Sequence, residues 1–266
     1  MKINNKGTTL LEMAIGILLT GVIVSSALSL YLTQHKHLLI QDQVSDMQSS
    51  VRAAMGELTN SVRMAGCDIP ASINCIIARD CNPDTIILLS NRTYGIQIEH
   101  AMPTPSAELR CDGHDLSPLH EGDTLFIYDP YMRSGEFFYV TQIQYASSNI
   151  QHNTMNLGHS YPQGSRIIWL SKKRYYIDSS NPSHSNLMVQ VNNGAPQVFA
   201  ENITDLQFKY VLSSRDTVDV PIIADMVRNV IISVTARSDQ PDPDFQNQYR
   251  TRTLTTTVKV RNLGVN

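Results

Sequence analysis

The sequence predicts an α+β fold in which one long N-terminal α-helix carries an antiparallel β-sheet headpiece. Three observations predict it. An apolar run fills residues 8–34, with Glu12 as its one charged side chain. A helical amphipathic stripe follows without a break. From Pro70 onward the pattern changes to short β-branched and aromatic runs separated by Pro, Gly, Asn, Asp and Ser, which is strand and turn chemistry.

The first run is longer than the roughly 20 apolar residues that cross a hydrocarbon core as a helix. Residues 1–7 carry Lys2 and Lys6, so the positive-inside tendency places this short leader in the cytoplasm and everything after Gln34 outside it. The apolar helix runs straight on into a long polar-faced one, and no small-residue cleavage site closes it, so removal of the whole run as a secretory signal is not expected. An uncleaved signal anchor is the simplest alternative. Glu12 adds a constraint, because a carboxylate inside an apolar span costs on the order of a few kcal/mol. No basic residue accompanies it within the run. Its countercharge is therefore expected from another molecule or from a chain terminus, and cleavage after Gly7 would create an α-amino group on Thr8. The competing expectation is a glutamate that reaches the interface or stays protonated.

Ile40, Val44, Met47, Val51, Ala54, Leu58 and Val62 recur at spacings of three or four and line one helical face. Asp42, Asp46, Arg52, Glu57 and Arg63 fall off the stripe, which marks residues 35–66 as a half-buried continuation lying on a sheet. Gly66 is the expected C-terminal stop. A continuous helix from about residue 8 to residue 65 would be roughly 85 Å long. Strands are expected over 85–89, 94–99, 124–129, 136–145, 166–170, 174–177, 187–191, 206–212, 228–237 and 251–260. The links between them are too short for helical crossovers, hence the antiparallel pairing. No repeat or long linker divides residues 67–266, so one extracytoplasmic headpiece is expected.

Cys67, Cys75, Cys81 and Cys111 contain no close CxxC pair of the kind that nominates zinc. An even count outside the cytoplasm points to disulfides, with three pairings open and a short loop closed by Cys75 and Cys81 as the leaning. The net charge of -3 leaves no basic footprint for a phosphate backbone, so direct nucleic-acid binding is not expected. Lys172-Lys173-Arg174 is the one basic cluster and reads as a solvated strand end. The Asp239-Gln240-Pro241-Asp242-Pro243-Asp244 stretch reads as a solvated turn between the last two strands rather than a calcium loop. Tyr175-Tyr176 and Phe137-Phe138-Tyr139 read as core or edge aromatics. His35 and His37, two apart on a helix, cannot share a metal, and His120-Glu121 is an isolated pair. No phosphate-cradling loop, HExxH, GxSxG or dinucleotide fingerprint is present. No enzyme activity, metal, cofactor or small-molecule substrate is therefore expected.

Lys6-Gly7-Thr8-Thr9-Leu10-Leu11-Glu12, followed by an apolar helix, resembles the class III leader of type IV prepilins and pseudopilins. The resemblance implies that a prepilin peptidase cuts between Gly7 and Thr8, that Glu12 guides the subunit into a filament, and that Thr8 is the residue to be N-methylated. Thr8 departs from the Phe or Met usual there. Arg63-Met64-Ala65-Gly66-Cys67, Glu201-Asn202-Ile203-Thr204-Asp205-Leu206-Gln207-Phe208, Val227-Arg228 and the closing Val260-Arg261-Asn262 are similar to the PilW family of minor pilins. The same architecture occurs in J-type minor pseudopilins of type II secretion. What this implies is a pilin-like, low-copy, single-pass protein of the inner membrane that later joins a pilus or pseudopilus at the cell surface. Its implied partners are the prepilin peptidase, other minor pilins, the major pilin and, before assembly, membrane lipid. It would prime assembly in a tip complex and support adhesion, motility or DNA uptake indirectly.

Overall fold

A computed structural model of the chain describes residues 9–92, 95–153 and 155–263. Helix α1 spans Leu10–Met64, 55 residues, or about 82 Å at 1.5 Å per residue. Ala65 leaves helical geometry and Gly66 follows at φ 73°, the left-handed position where a side chain is penalised. A β-carbon on Gly66 would also lie 2.6 Å from the Leu263 side chain. The chain therefore stops its helix where the sequence places the stop.

The stripe is buried as its spacing requires. Met47, Val51, Ala54, Leu58 and Val62 are buried, and Ile40 and Val44 are half-buried at the N-terminal edge of the contact. Asp42, Asp46, Arg52 and Arg63 are exposed, but Glu57 is half-buried against the sheet.

Fifteen strands follow among the described residues: β1 Ile76–Arg79, β2 Thr85–Asn91, β3 Leu109–Arg110, β4 Thr124–Asp129, β5 Ser134–Tyr139, β6 Gln142–Gln144, β7 Asn149–Gln151, β8 Arg166–Ile168, β9 Leu170–Asp178, β10 Asn186–Val191, β11 Gln197–Ala200, β12 Ile203–Leu212, β13 Thr217–Val218, β14 Val227–Arg237 and β15 Thr251–Lys259. A 3₁₀ turn at Ala224–Met226 leads into β14. Every pairing in these sheets is antiparallel. The sheets run β1-β2-β9-β10-β11, β13-β12-β14-β15, β3-β7-β6 and β5-β4-β8.

The single expected headpiece is built around two cores. The first joins Val51, Leu58 and Val62 of α1 to Ile86 and Tyr175 of the five-stranded sheet and to Phe208, Val230 and Val258 of the four-stranded sheet. The second, around Ile98, Leu125, Phe138 and Ile167, belongs to the two three-stranded sheets. Its residues fall between β2 and β9, which are neighbours in the larger sheet, so this lobe is an insertion at one sheet end. Its neck is polar. Arg166 pairs with Asp68, Asn91 bonds Asp68 at 2.8 Å, and the Arg92 guanidinium lies 4.2 Å over the Trp169 ring.

Several expected strand boundaries change because the chain switches partners. The expected strand over 136–145 divides into β5 and β6. Val140 N–H still bonds Asp123 beside β4, but Thr141 N–H bonds Gln151 of β7. The runs 166–170 and 174–177 likewise become β8 and β9, since β8 pairs with β4 and β9 with β2 on either side of Trp169. The expected strand at 94–99 is reduced, among the described residues, to one bridge between Gln97 and Arg166, because Glu99 N–H turns away to Arg110. Strands β1, β3, β7, β11 and β13 are additions. All have four residues or fewer, too short for a periodic signal.

Candidate functional site

Among the described residues nothing covers the most apolar part of α1. Its most apolar stretch is entirely unburied, and the helix is long and apolar enough to cross a membrane. Four hydroxyls in the first half of α1 bond within the helix itself. Thr20, Ser25, Ser26 and Thr33 each donate to the carbonyl four residues back, at 2.7 to 2.9 Å. Such internal bonding is what a hydrocarbon environment demands of every polar group.

At the start of this helix Glu12 has a partner that the sequence reasoning overlooked. Thr9 is the N-cap, and its hydroxyl accepts from Glu12 N–H at 3.3 Å. The Glu12 carboxylate accepts in return from Thr9 N–H at 2.9 Å and from the Thr9 hydroxyl at 3.2 Å. This is a reciprocal capping box, and it sets a negative charge at the positive end of the helix dipole. These bonds give the carboxylate hydrogen-bond partners within its own helix but no countercharge. Helix geometry meets part of the need, and a neighbouring cation would compete with or add to it. Thr-x-x-Glu before an apolar run is the readable signal. Gly7 and Thr8, the expected cleavage pair, lie outside the described residues.

Farther along α1, a polar knot fastens the helix to the sheet. One Glu57 carboxylate oxygen accepts from Tyr175 at 2.5 Å, Lys173 at 2.9 Å and Ser61 at 3.1 Å, and the Ser61 and Tyr175 oxygens are 2.8 Å apart. Burial works to raise the Glu57 pKa, but the bonds from Tyr175 and Lys173 and the lysine charge outweigh it and hold the carboxyl below its usual range. Burial, with Glu57 as its acceptor, pushes the Tyr175 phenol well above its ordinary value. Tyr175 keeps its proton and donates a hydrogen bond to Glu57, and Lys173 pairs with the same carboxylate, so the knot orients the three groups. A pocket of about 260 Å³ opens beside it, lined by Asn60, Met64, Leu88 and Lys173 among others.

The remaining candidates are dispersed. Cys75 and Cys81 sit beyond opposite ends of β1, whose four extended residues alone span about 10 Å between their outer Cα atoms. A disulfide cannot bridge that separation. The expected Cys75–Cys81 loop is therefore not formed. Cys75 and Cys111 are buried free thiols in different cores, with burial pushing their pKa up to about 11 and about 12. Cys81 is an exposed thiol, and Cys67 is half-buried beside the neck.

Lys172, Lys173 and Arg174 do not form a shared basic surface. Lys173 turns to Glu57, and Arg174 lies 4.7 Å over the Tyr176 ring. The acidic turn does connect the last two long strands, as expected. Its carboxylates are individually paired, Asp242 with Arg250, Asp244 with Lys36 and Asp239 with His184. Among the described residues no group of three or more His, Cys, Asp or Glu side chains is arranged to hold a metal. Tyr175 and Phe138 are core residues, and Phe137 and Tyr139 project to solvent from β5.

No family model matches the chain, and no curated protein or solved structure matches it. The functional reading therefore rests on the residues themselves.

Proposed function

We propose that the chain is a minor, filament-associated subunit of the type IV pilin class. Its first helical half would span the inner membrane, and after a cut between Gly7 and Thr8 it would enter a bundle of related helices. The observation that carries this reading is the division of labour along one unbroken helix. Residues 47–62 pack into the headpiece, and the apolar stretch before them is unburied among the described residues. A bilayer covers such a surface first, and neighbouring helices of the same kind cover it afterwards. Glu12 supports the reading through its position one turn into the helix, where the amine of an adjacent processed subunit could add to the capping box. The headpiece would take its place in a tip complex with other minor pilins. The same helix would serve a type II secretion pseudopilus equally well.

A second reading, an unprocessed membrane-anchored β-rich domain, is favoured by the capping box, which satisfies much of Glu12 without any cleavage. The two separate in one experiment. Glu12→Ala is expected to leave processing intact and to abolish co-purification with other prepilin-type subunits from the native membrane. Co-purification at the wild-type level would defeat the filament reading.

A further inference from the structure

The lowest contact between the headpiece and α1 lies next to the residues where the apolar run ends. The unbroken apolar run has its last apolar side chain at Leu32, before the polar Thr33–His37 stretch, and four residues after Leu32 the Lys36 ammonium bonds Asp244 at 2.7 Å, with exposed Leu38 and Leu39 following it. Four residues of helix advance about 6 Å, which is within the depth of one headgroup layer. Asp244 belongs to the β14–β15 turn, so this turn lies at headgroup level whenever the preceding helix spans a bilayer. Tyr31 and His35, whose rings stack in parallel with centroids 6.0 Å apart, mark the same level on α1.

The turn is also organised. Buried Asp242 accepts from the Arg250 guanidinium at 2.6 Å and from Asp244 N–H at 2.8 Å. Phe245 N–H bonds the Asp242 carbonyl, and Gln248 N–H bonds the Phe245 carbonyl. The outcome is an exposed Phe245 held at the tip beside exposed Pro243. Three carboxylates would ordinarily keep such a turn away from an anionic surface. Here Lys36 and Arg250 offset Asp244 and Asp242, His184 lies 3.3 Å from Asp239, and the Arg250 guanidinium sits 5.6 Å from the centre of the Phe245 ring.

We propose that the β14–β15 turn is a membrane foot, with Phe245 seated among the lipid headgroups and upper acyl carbons beside the point where α1 leaves the bilayer. The foot rests on the reading of α1 as a membrane span. It fixes which side of the headpiece faces the membrane, and it gives the headpiece a second lipid contact that is released when the helix moves into a filament. The chemistry is that of an interfacial aromatic, shallow and reversible.

The test uses the full chain in liposomes of phosphatidylcholine and phosphatidylglycerol, with and without lipids brominated high on the acyl chain. Tryptophan reporters are placed one at a time at Phe245, at Leu28 within the apolar run, and at exposed Tyr131 in the other lobe. Native Trp169, the chain's one tryptophan, supplies a constant background. The Phe245→Trp reporter is expected to lose about half its added emission to shallow bromine, as befits a ring 5–10 Å into the interface. Tyr131→Trp is expected to lose none. If Leu28→Trp is quenched while Phe245→Trp behaves like Tyr131→Trp, the foot is overturned and the span survives. If Leu28→Trp is unquenched, the span and the foot fall together.

Discussion

Removing the hydroxyl of Tyr175 should loosen the helix from the headpiece by a measurable amount. In Tyr175→Phe the ring still fills its fully buried site, but Glu57 loses its 2.5 Å bond while keeping Lys173 and Ser61. A hydrogen bond to a charged acceptor contributes about 1.5–3 kcal/mol, and the two surviving partners argue for the lower end. For a chain of this size, a loss near 1.5 kcal/mol lowers the melting temperature by about 3–6 °C. The assay is thermal unfolding of the full chain in detergent, followed by circular dichroism. The pH dependence gives the result a sign. Because the folded Glu57 pKa is depressed below its ordinary 4.5, its contribution is present above that value and is lost as pH falls through the lower folded value. The gap between wild type and Tyr175→Phe should therefore narrow in acid. A variant within a few tenths of a kcal/mol of wild type at neutral pH would refute the claim that this knot fastens α1.

Three further outcomes follow from packing and exposure. Leu58→Ala, at a fully buried position where α1 meets the main core, should cost about 2–5 kcal/mol in the same unfolding assay. Gly135→Ala should cost about 1–3 kcal/mol or more, because a β-carbon there would meet the Ile127 carbonyl oxygen at 2.2 Å and the Phe126 ring at 2.7 Å. Its local effect would be read as a changed hydrogen-exchange pattern across β4 and β5. A maleimide at neutral pH should label exposed Cys81 rapidly, and it should label Cys75 and Cys111 only after unfolding, as peptide mass spectrometry would show.

Where periodicity was long, the fold was legible in the sequence. The 47–62 stripe fixed which face of α1 is buried, and Gly66 fixed where the helix stops. The long strands β2, β4, β10, β12, β14 and β15 were readable because each packs at least one regular face. What the sequence hid was the exchange of partners. Val140–Thr141 and Trp169 look like ordinary members of β-rich runs, yet the chain changes sheets there, and that change creates the second core. Glu57 was hidden for a related reason. It lies off the apolar stripe, and only the register of β9 reveals that Tyr175 and Lys173 meet it. Thr9-Leu10-Leu11-Glu12 was legible as a capping box, but an acid in an apolar run drew attention to charge before geometry. The Lys36–Asp244 contact joins residues 208 positions apart, a separation for which composition offers no signal.

The mass of the mature N-terminal peptide of the native protein tests the central claim most directly. The account predicts a polypeptide beginning at Thr8, with or without a methyl group on its amine. A polypeptide that retains Met1 or Lys2, in cells whose prepilins are trimmed, would contradict it and leave a β-rich domain tethered by an ordinary anchor.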